Sequence, residues 1–162
     1  MIYLIADTHF GDPDIIKVCN RPFKDTKEMD DMIVSNWNDV VKEDDTVYLL
    51  GDVGKLNRVH ELNGIINLVK GNHDNQTIES YKVNGINMVY DLPIVLKEFF
   101  ILSHEPISYI QPNGVFANIF GHVHNSPHIT TYSNRHYCVS VERINYKPIS
   151  LDDVIETMRY CG

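Results

Sequence analysis

The chain has little cysteine: Cys19, Cys138 and Cys161 are the three in 162 residues, an odd number at spacings that suit neither a disulfide framework nor a thiolate metal site. Buried or free thiols are therefore expected. Long apolar runs are missing as well, since none approaches the roughly 20 residues a membrane-spanning helix needs. The opening stretch, MIYLIADTHF, meets an acid and a histidine before any cleavage-like segment. A soluble, cytoplasmic protein without a membrane partner is the expectation. There are no internal repeats, low-complexity tracts or linkers, and 162 residues with 43% hydrophobic content suit a single domain over 1–162. Positive charge is scarce, with 14 Lys and Arg against 22 Asp and Glu and a formal net charge of −8. That balance disfavours a long nucleic acid, for which a basic surface is expected. Part of the negative charge can be a metal site counted without its ions.

Several short apolar runs end in Gly, Asp or His and read as buried strands: residues 2–6, 46–50, 65–69, 99–103 and 115–120, with a further short strand near 137–141. Between the first two, Met29, Met32, Ile33, Trp37, Val40 and Val41 recur at three- and four-residue spacing, behind Asp25 and Glu28 placed like a capping box. A second helix is expected after Ser150, where Asp153 sits three positions on and Val154, Ile155 and Met158 form an apolar stripe. A turn is signalled at Pro112-Asn113-Gly114. Alternating strand and helix signals early and short strands later predict a mixed sheet sandwich flanked by helices.

The informative polar residues fall at the ends of those apolar runs: Asp7 and His9, Asp52, Asn72, His73 and Asp74, His104, then His122 and His124. In open α/β sheets, ligands gather beyond the carboxyl ends of strands, so residues far apart in sequence can share one pocket. Gly51, Gly71 and Gly121 accompany three of the turns and permit tight backbone there. Carboxylate, amide and imidazole donors without thiolate suit divalent ions such as Mn²⁺, Fe, Zn²⁺, Ni²⁺ or Mg²⁺. Two such ions can clamp a phosphoryl group, with a carboxylate between them offsetting their repulsion. Asp52, central among the motifs, is the candidate bridge.

The ordered blocks Asp7-Thr8-His9, Gly51-Asp52, Gly71-Asn72-His73-Asp74, His104 and Gly121-His122-Val123-His124 resemble the calcineurin-like metallophosphoesterase superfamily. Asp7 through Gly11 followed by Cys19-Asn20-Arg21-Pro22-Phe23 is similar to its short bacterial and phage members. The resemblance implies a four-layer αββα sandwich of mixed β-sheets flanked by helices, an α/β fold. It implies two divalent metal ions, Mn²⁺ foremost: Asp7, His9 and His124 on one, Asn72, His104 and His122 on the other, and Asp52 between them. The implied activity is hydrolysis of phosphodiester or phosphomonoester bonds by a metal-bound hydroxide. His73 would protonate the leaving oxygen, with Asp74 orienting its ring. Two positions depart from the family pattern: Lys55 replaces a frequent second Asp after Gly51-Asp52, and Asp12 stands where short relatives place a histidine.

Asn20 and Arg21 lie near the Asp7 loop in sequence, where an Arg fork would suit a phosphate oxygen, although structural hydrogen bonding explains them equally well. Tyr109 and Tyr132 are candidates to stack a base, with burial as the simpler reading. His60, His128 and His136 belong to no block and read as surface or loop residues. The expected substrate is a small phosphate ester or nucleotide. Two other functions stay open: a protein-interaction scaffold on the same fold, against which His73 argues, and a nuclease, against which the shortage of basic tracts argues.

Overall fold

The computed structural model describes residues 1–108, 110 and 117–161. In chain order its elements are β1 (Ile2–Ile5), α1 (Pro13–Val18), α2 (Thr26–Val40), β2 (Thr46–Leu49), β3 (Ile65–Val69), α3 (Ile78–Val83), β4 (Ile86–Tyr90), β5 (Ile94–Leu96), β6 (Phe100–Leu102), β7 (Ala117–Phe120), β8 (His136–Cys138), β9 (Ile149–Ser150) and α4 (Leu151–Arg159), with 3₁₀ turns at Leu56–Glu61 and Val141–Arg143. The strands form two mixed sheets, ordered β4-β3-β2-β1-β9 and β5-β6-β7-β8. In the first, β1 to β4 are parallel and β9 runs antiparallel to β1. In the second, β6, β7 and β8 are parallel and β5 pairs antiparallel with β6. With helices flanking the sheets, the fold is an α/β sandwich, as expected.

Continuous apolar sequence becomes central strand here because both faces are covered. Leu4, Ile5 and Ala6, Leu49 and Leu50, and Ile119 are fully buried, and residues of both sheets join one core cluster. α2 begins at Asp25, whose carboxylate accepts from the Glu28 N–H at 2.8 Å, and it sends Met29, Ile33 and Trp37 into the core. The capping box is not closed reciprocally: Glu28 Oε2 accepts from the Lys24 N–H instead. Ser150 caps α4 by accepting from the Asp153 N–H at 3.1 Å, and α4 packs across β9, β1 and β8. It thus covers the line where the two sheets meet. Among the described residues no helix is long and apolar enough to cross a membrane.

The two sheets are joined where the site forms. Ala6 donates to the Val139 carbonyl at 2.9 Å and accepts from the Val141 N–H at 3.1 Å, so the chain after β1 pairs with the chain after β8. On its other side the β1 exit pairs with the β2 exit, through Asp7 N–H to Gly51 O at 3.0 Å and His9 N–H to Asp52 O at 2.9 Å. Residues 115 and 116 of the expected fifth strand, and the Pro112-Asn113-Gly114 turn, lie outside the described residues.

Candidate metal centre

Six parallel strands, β1, β2, β3, β6, β7 and β8, deliver polar residues just beyond their carboxyl ends. Five of these were read from the sequence; the sixth, Glu142 after β8, was not. Its signal was of the same kind, an acid directly after the apolar run Val139-Ser140-Val141, but it matched no block of the resemblance.

Asp7, His9 and His124 each offer a ligand atom within 4.8 Å of the others, and so do Asp7, Asp52 and His104. Asp7 therefore belongs to both groups. Asp52 Oδ2, of the second group, stands 3.4 Å from His104 Nε2 and equally 3.4 Å from His9 Nε2 of the first. His104 Nδ1 faces the Leu50 carbonyl at 2.9 Å, which sets Nε2 as the free nitrogen. That nitrogen lies 2.9 Å from Asn72 Oδ1 and 3.1 Å from His122 Nδ1, and His122 Nδ1 lies 3.0 Å from the same Asn72 oxygen. All seven expected ligands are thus brought together. Among the described residues the buried His9 Nε2 has no partner at hydrogen-bond geometry, Asp52 Oδ2 standing 3.4 Å off, the condition in which a divalent cation is a natural occupant.

Backbone geometry marks the same residues. Asp7, His9, Asp52, His122 and His124 all have left-handed φ, between 47° and 69°. Non-glycine residues in that region are sparse, and such strain collects at functional sites where surrounding structure holds it. The glycines beside them allow close approach: a Cβ on Gly51, whose φ is +87°, would lie 2.7 Å from the Gly71 backbone and strike the His104 ring, and one on Gly71 would strike the Asp52 carboxylate.

Charge is concentrated here. Burial pushes the Asp7 carboxyl above its ordinary range, opposed by His124 and His104. Burial acts on Asp52 in the same direction, but the His9 and His104 rings and the His73 N–H outweigh it and hold Asp52 down at about 2. For His124 burial works against the charged form, yet the Cys19 and Glu142 side chains beside the ring, with Asp7, push it up to about 10. An ion-free pocket thus offsets its carboxylates with protonated imidazole.

Three expectations change with the structure in view. Arg21 is not positioned for substrate: its side chain is fully buried, donating to the Asp7 carbonyl at 2.7 Å, the Thr8 carbonyl at 3.0 Å and Glu142 Oε1 at 2.9 Å. Asp74 does not orient the His73 ring. Its oxygens accept from the backbone N–H groups of Asp52 at 2.7 Å, Val53 at 3.0 Å and Gly71 at 2.9 Å, so it braces the two loops that carry Asp52 and Asn72. Tyr132 is 47% exposed and stacks on Tyr137, so burial does not account for it. Tyr109 lies outside the described residues. His73 is exposed, its ring edge-on to His9 at 5.5 Å between centroids, and its own N–H donates to Asp52 Oδ1 at 2.9 Å. Among the described residues its ring has no hydrogen-bond partner. Asn20 is exposed, with φ of 48°, directly after Cys19.

Two mixed sheets with an Asp, Asn and His cluster at their parallel strand ends define an α/β sandwich protein with a candidate metal centre. No protein-family model matches the chain. The chain belongs to the family of an uncharacterised protein of Methanocaldococcus jannaschii, with 38% identity over 170 aligned positions covering 96% of this chain and 89% of that protein. Among solved structures it is similar to a protein of unknown function from Aquifex aeolicus, with a TM-score of 0.74, 29% identity, and coverage of 97% of this chain and 98% of that one. It is also similar to the nuclease MPE of Pseudomonas putida, with a TM-score of 0.51, 26% identity and coverage of 76% of this chain and 60% of the nuclease.

Proposed function

We propose that the chain is a metal-dependent phosphoric ester hydrolase with a dinuclear centre, a member of the calcineurin-like metallophosphoesterase superfamily. The observation that carries this reading is the position of Asp52 Oδ2, 3.4 Å from the His9 ring in one ligand group and 3.4 Å from the His104 ring in the other. A carboxylate so placed, beside an unpartnered buried imidazole nitrogen, fits two cations better than one or none. Asp7, His9 and His124 would hold one divalent ion, Asn72, His104 and His122 the other, and Asp52 both, with Mn²⁺ the first candidate for this oxygen and nitrogen donor set. Bound there, the ions would supply Lewis-acid polarisation of the phosphoryl group and lower the pKa of water.

His73 is the general acid of this reading. Its ring is exposed on the open side of the clusters and has no partner of its own among the described residues, so it is free to give a proton to the leaving oxygen. Asn20, exposed and within the stretch Cys19-Asn20-Arg21-Pro22-Phe23, is kept as the candidate to touch substrate. The net charge of −8 favours a small phosphate ester or nucleotide. The similarity to a nuclease supports a second reading, cleavage of nucleic acid.

Elemental analysis and an activity screen test both readings. Protein loaded with Mn²⁺ should hold close to two ions per chain and hydrolyse aryl mono- or diesters or cyclic nucleotides. It should bind generic duplex DNA only weakly at physiological salt. No more than one ion at micromolar affinity would sink the dinuclear centre, and submicromolar, strongly salt-dependent duplex binding would favour the nuclease.

A further inference from the structure

Behind the cluster of Asp7, His9 and His124 lies a buried charged pair that the chemistry above leaves without a role. Glu142 Oε1 stands 3.0 Å from His124 Nδ1 and accepts from Arg21 Nε at 2.9 Å, with Arg21 Nη2 2.7 Å away. Both side chains are almost fully shielded, 0% exposed for Arg21 and 5% for Glu142. The same guanidinium reaches forward to the Asp7 and Thr8 carbonyls, at 2.7 and 3.0 Å. It therefore grips the loop on which Asp7 and His9 are held with left-handed backbone. The next residue, Arg143, donates to the His124 carbonyl and, at 2.7 Å, to that of Ser126. One 3₁₀ turn, Val141–Arg143, thus orients the His124 ring through Glu142 and its backbone through Arg143.

We infer that Glu142, held in place by Arg21, is a positioning residue for one half of the site only, and that it selects how His124 presents itself. A carboxylate at Nδ1 retains a proton on that nitrogen and leaves Nε2 as the donor toward Asp7 and His9. The other half is set differently, through the backbone carbonyl of Leu50 behind His104 and the Asn72 amide beside it. No contact of Glu142 or Arg21 reaches Asn72, His104 or His122 among the described residues. Losing Glu142 should therefore weaken one ion and not the other, an asymmetry that a merely structural ion pair would not produce. The inference rests on the dinuclear reading above.

The test is a titration with Mn²⁺ alone, followed by calorimetry. Glu142→Gln, close in shape, should weaken one of two sites by about 10- to 100-fold, the usual effect of losing a partner behind a ligand. In a His122→Ala background, where the Asp7, His9 and His124 site remains, the same loss should appear. In a His9→Ala background it should vanish. Equal weakening of both sites, or two unchanged sites, overturns the inference. Wild type that binds fewer than two ions sinks the dinuclear reading instead. A second measurement avoids any folding defect of the variants: nitrogen-15 spectra of the Zn²⁺-loaded wild type should show His124 protonated at Nδ1 and ligating through Nε2. A proton found on Nε2 overturns the assignment.

Discussion

The two halves of the candidate centre are built on opposite plans. Asp7, His9 and His124 sit in a sealed half, with Asp7 wholly buried, His9 nearly so, and Arg21, Glu142 and Arg143 gripping the chain behind them. Asn72 and His73 form an open half with exposed side chains, beside a buried His104 anchored to the Leu50 carbonyl. Buried polar groups with satisfied partners keep one arrangement, whereas exposed ones hold theirs loosely. The contrast separates tasks: the sealed half would hold its ion in a prepared cage, and the open half would meet the substrate.

The most severe break should come at the point shared by both halves. Asp52→Asn removes the charge between the two clusters. In the dinuclear reading each ion would contribute several kcal/mol to the transition state, so loss of both should cost roughly 10⁴-fold or more in turnover together with metal content. His60→Ala, on an exposed ring outside the site, is the control and should change neither. Comparable losses in these two variants at matched folding would show the ligand assignment misread.

A change confined to the open half should spare the ions. His73→Ala should keep two ions per chain and lose about 10²- to 10⁴-fold on alkyl esters, and clearly less on nitrophenyl esters, whose leaving group needs little protonation. Equal losses on both substrate types would argue against an acid, and lost metal would make His73 a ligand.

The sealed half should show a pH signature. His124 is pushed up to about 10 from an ordinary 6.5, so in ion-free protein its pairing stabilises the fold fully below about 6.5 and this is lost as pH rises through about 10. An ion requires the neutral ring, so binding there must expel that proton and tighten by about tenfold per pH unit across the neutral range. Mn²⁺ titrations at three pH values, read with proton release, check this; a pH-independent affinity with no proton released would contradict it.

The smallest effect concerns the scaffold between the halves. Asp74→Asn weakens the acceptor of three backbone N–H groups and should cost about 2 kcal/mol. That corresponds to a melting temperature lower by about 4 to 8 °C, with substrate preference unchanged. An altered dependence on leaving group instead would return Asp74 to the His73 ring.

Legibility differed by scale. Long or continuous signals were readable: the α2 stripe from Met29 to Trp37, the Ser150 cap of α4, and strands such as Ile65–Val69. The six-residue helices α1 and α3, and the short strands β4, β5 and β9, were missed. Less than two turns of helix, or the two residues of β9 and three of β5, leave too little periodicity to register, and in β4 Asn87 breaks the apolar run, so partners elsewhere in the fold decide their conformation. Of the candidate site, every candidate ligand was visible as a polar residue closing an apolar run. Arg21 was visible as a residue with a substrate and a structural reading left open, because nothing local shows that its guanidinium points inward.

What the sequence by itself determined is the kind and order of the donor groups: carboxylate, imidazole and amide at successive strand ends. The apolar run that makes a buried strand also dictates where the polar residue emerges. What only the tertiary structure decided is the wiring behind those donors. Arg21 meets Glu142 across 121 positions, Asp74 reaches Asp52 across 22, and the His122 N–H finds Asp7 across 115. Bonds of that span leave no mark in spacing or periodicity. They exist because the closing of two sheets along Ala6 and Ser140 carries those side chains into one buried volume, where an unpaired polar atom is costly.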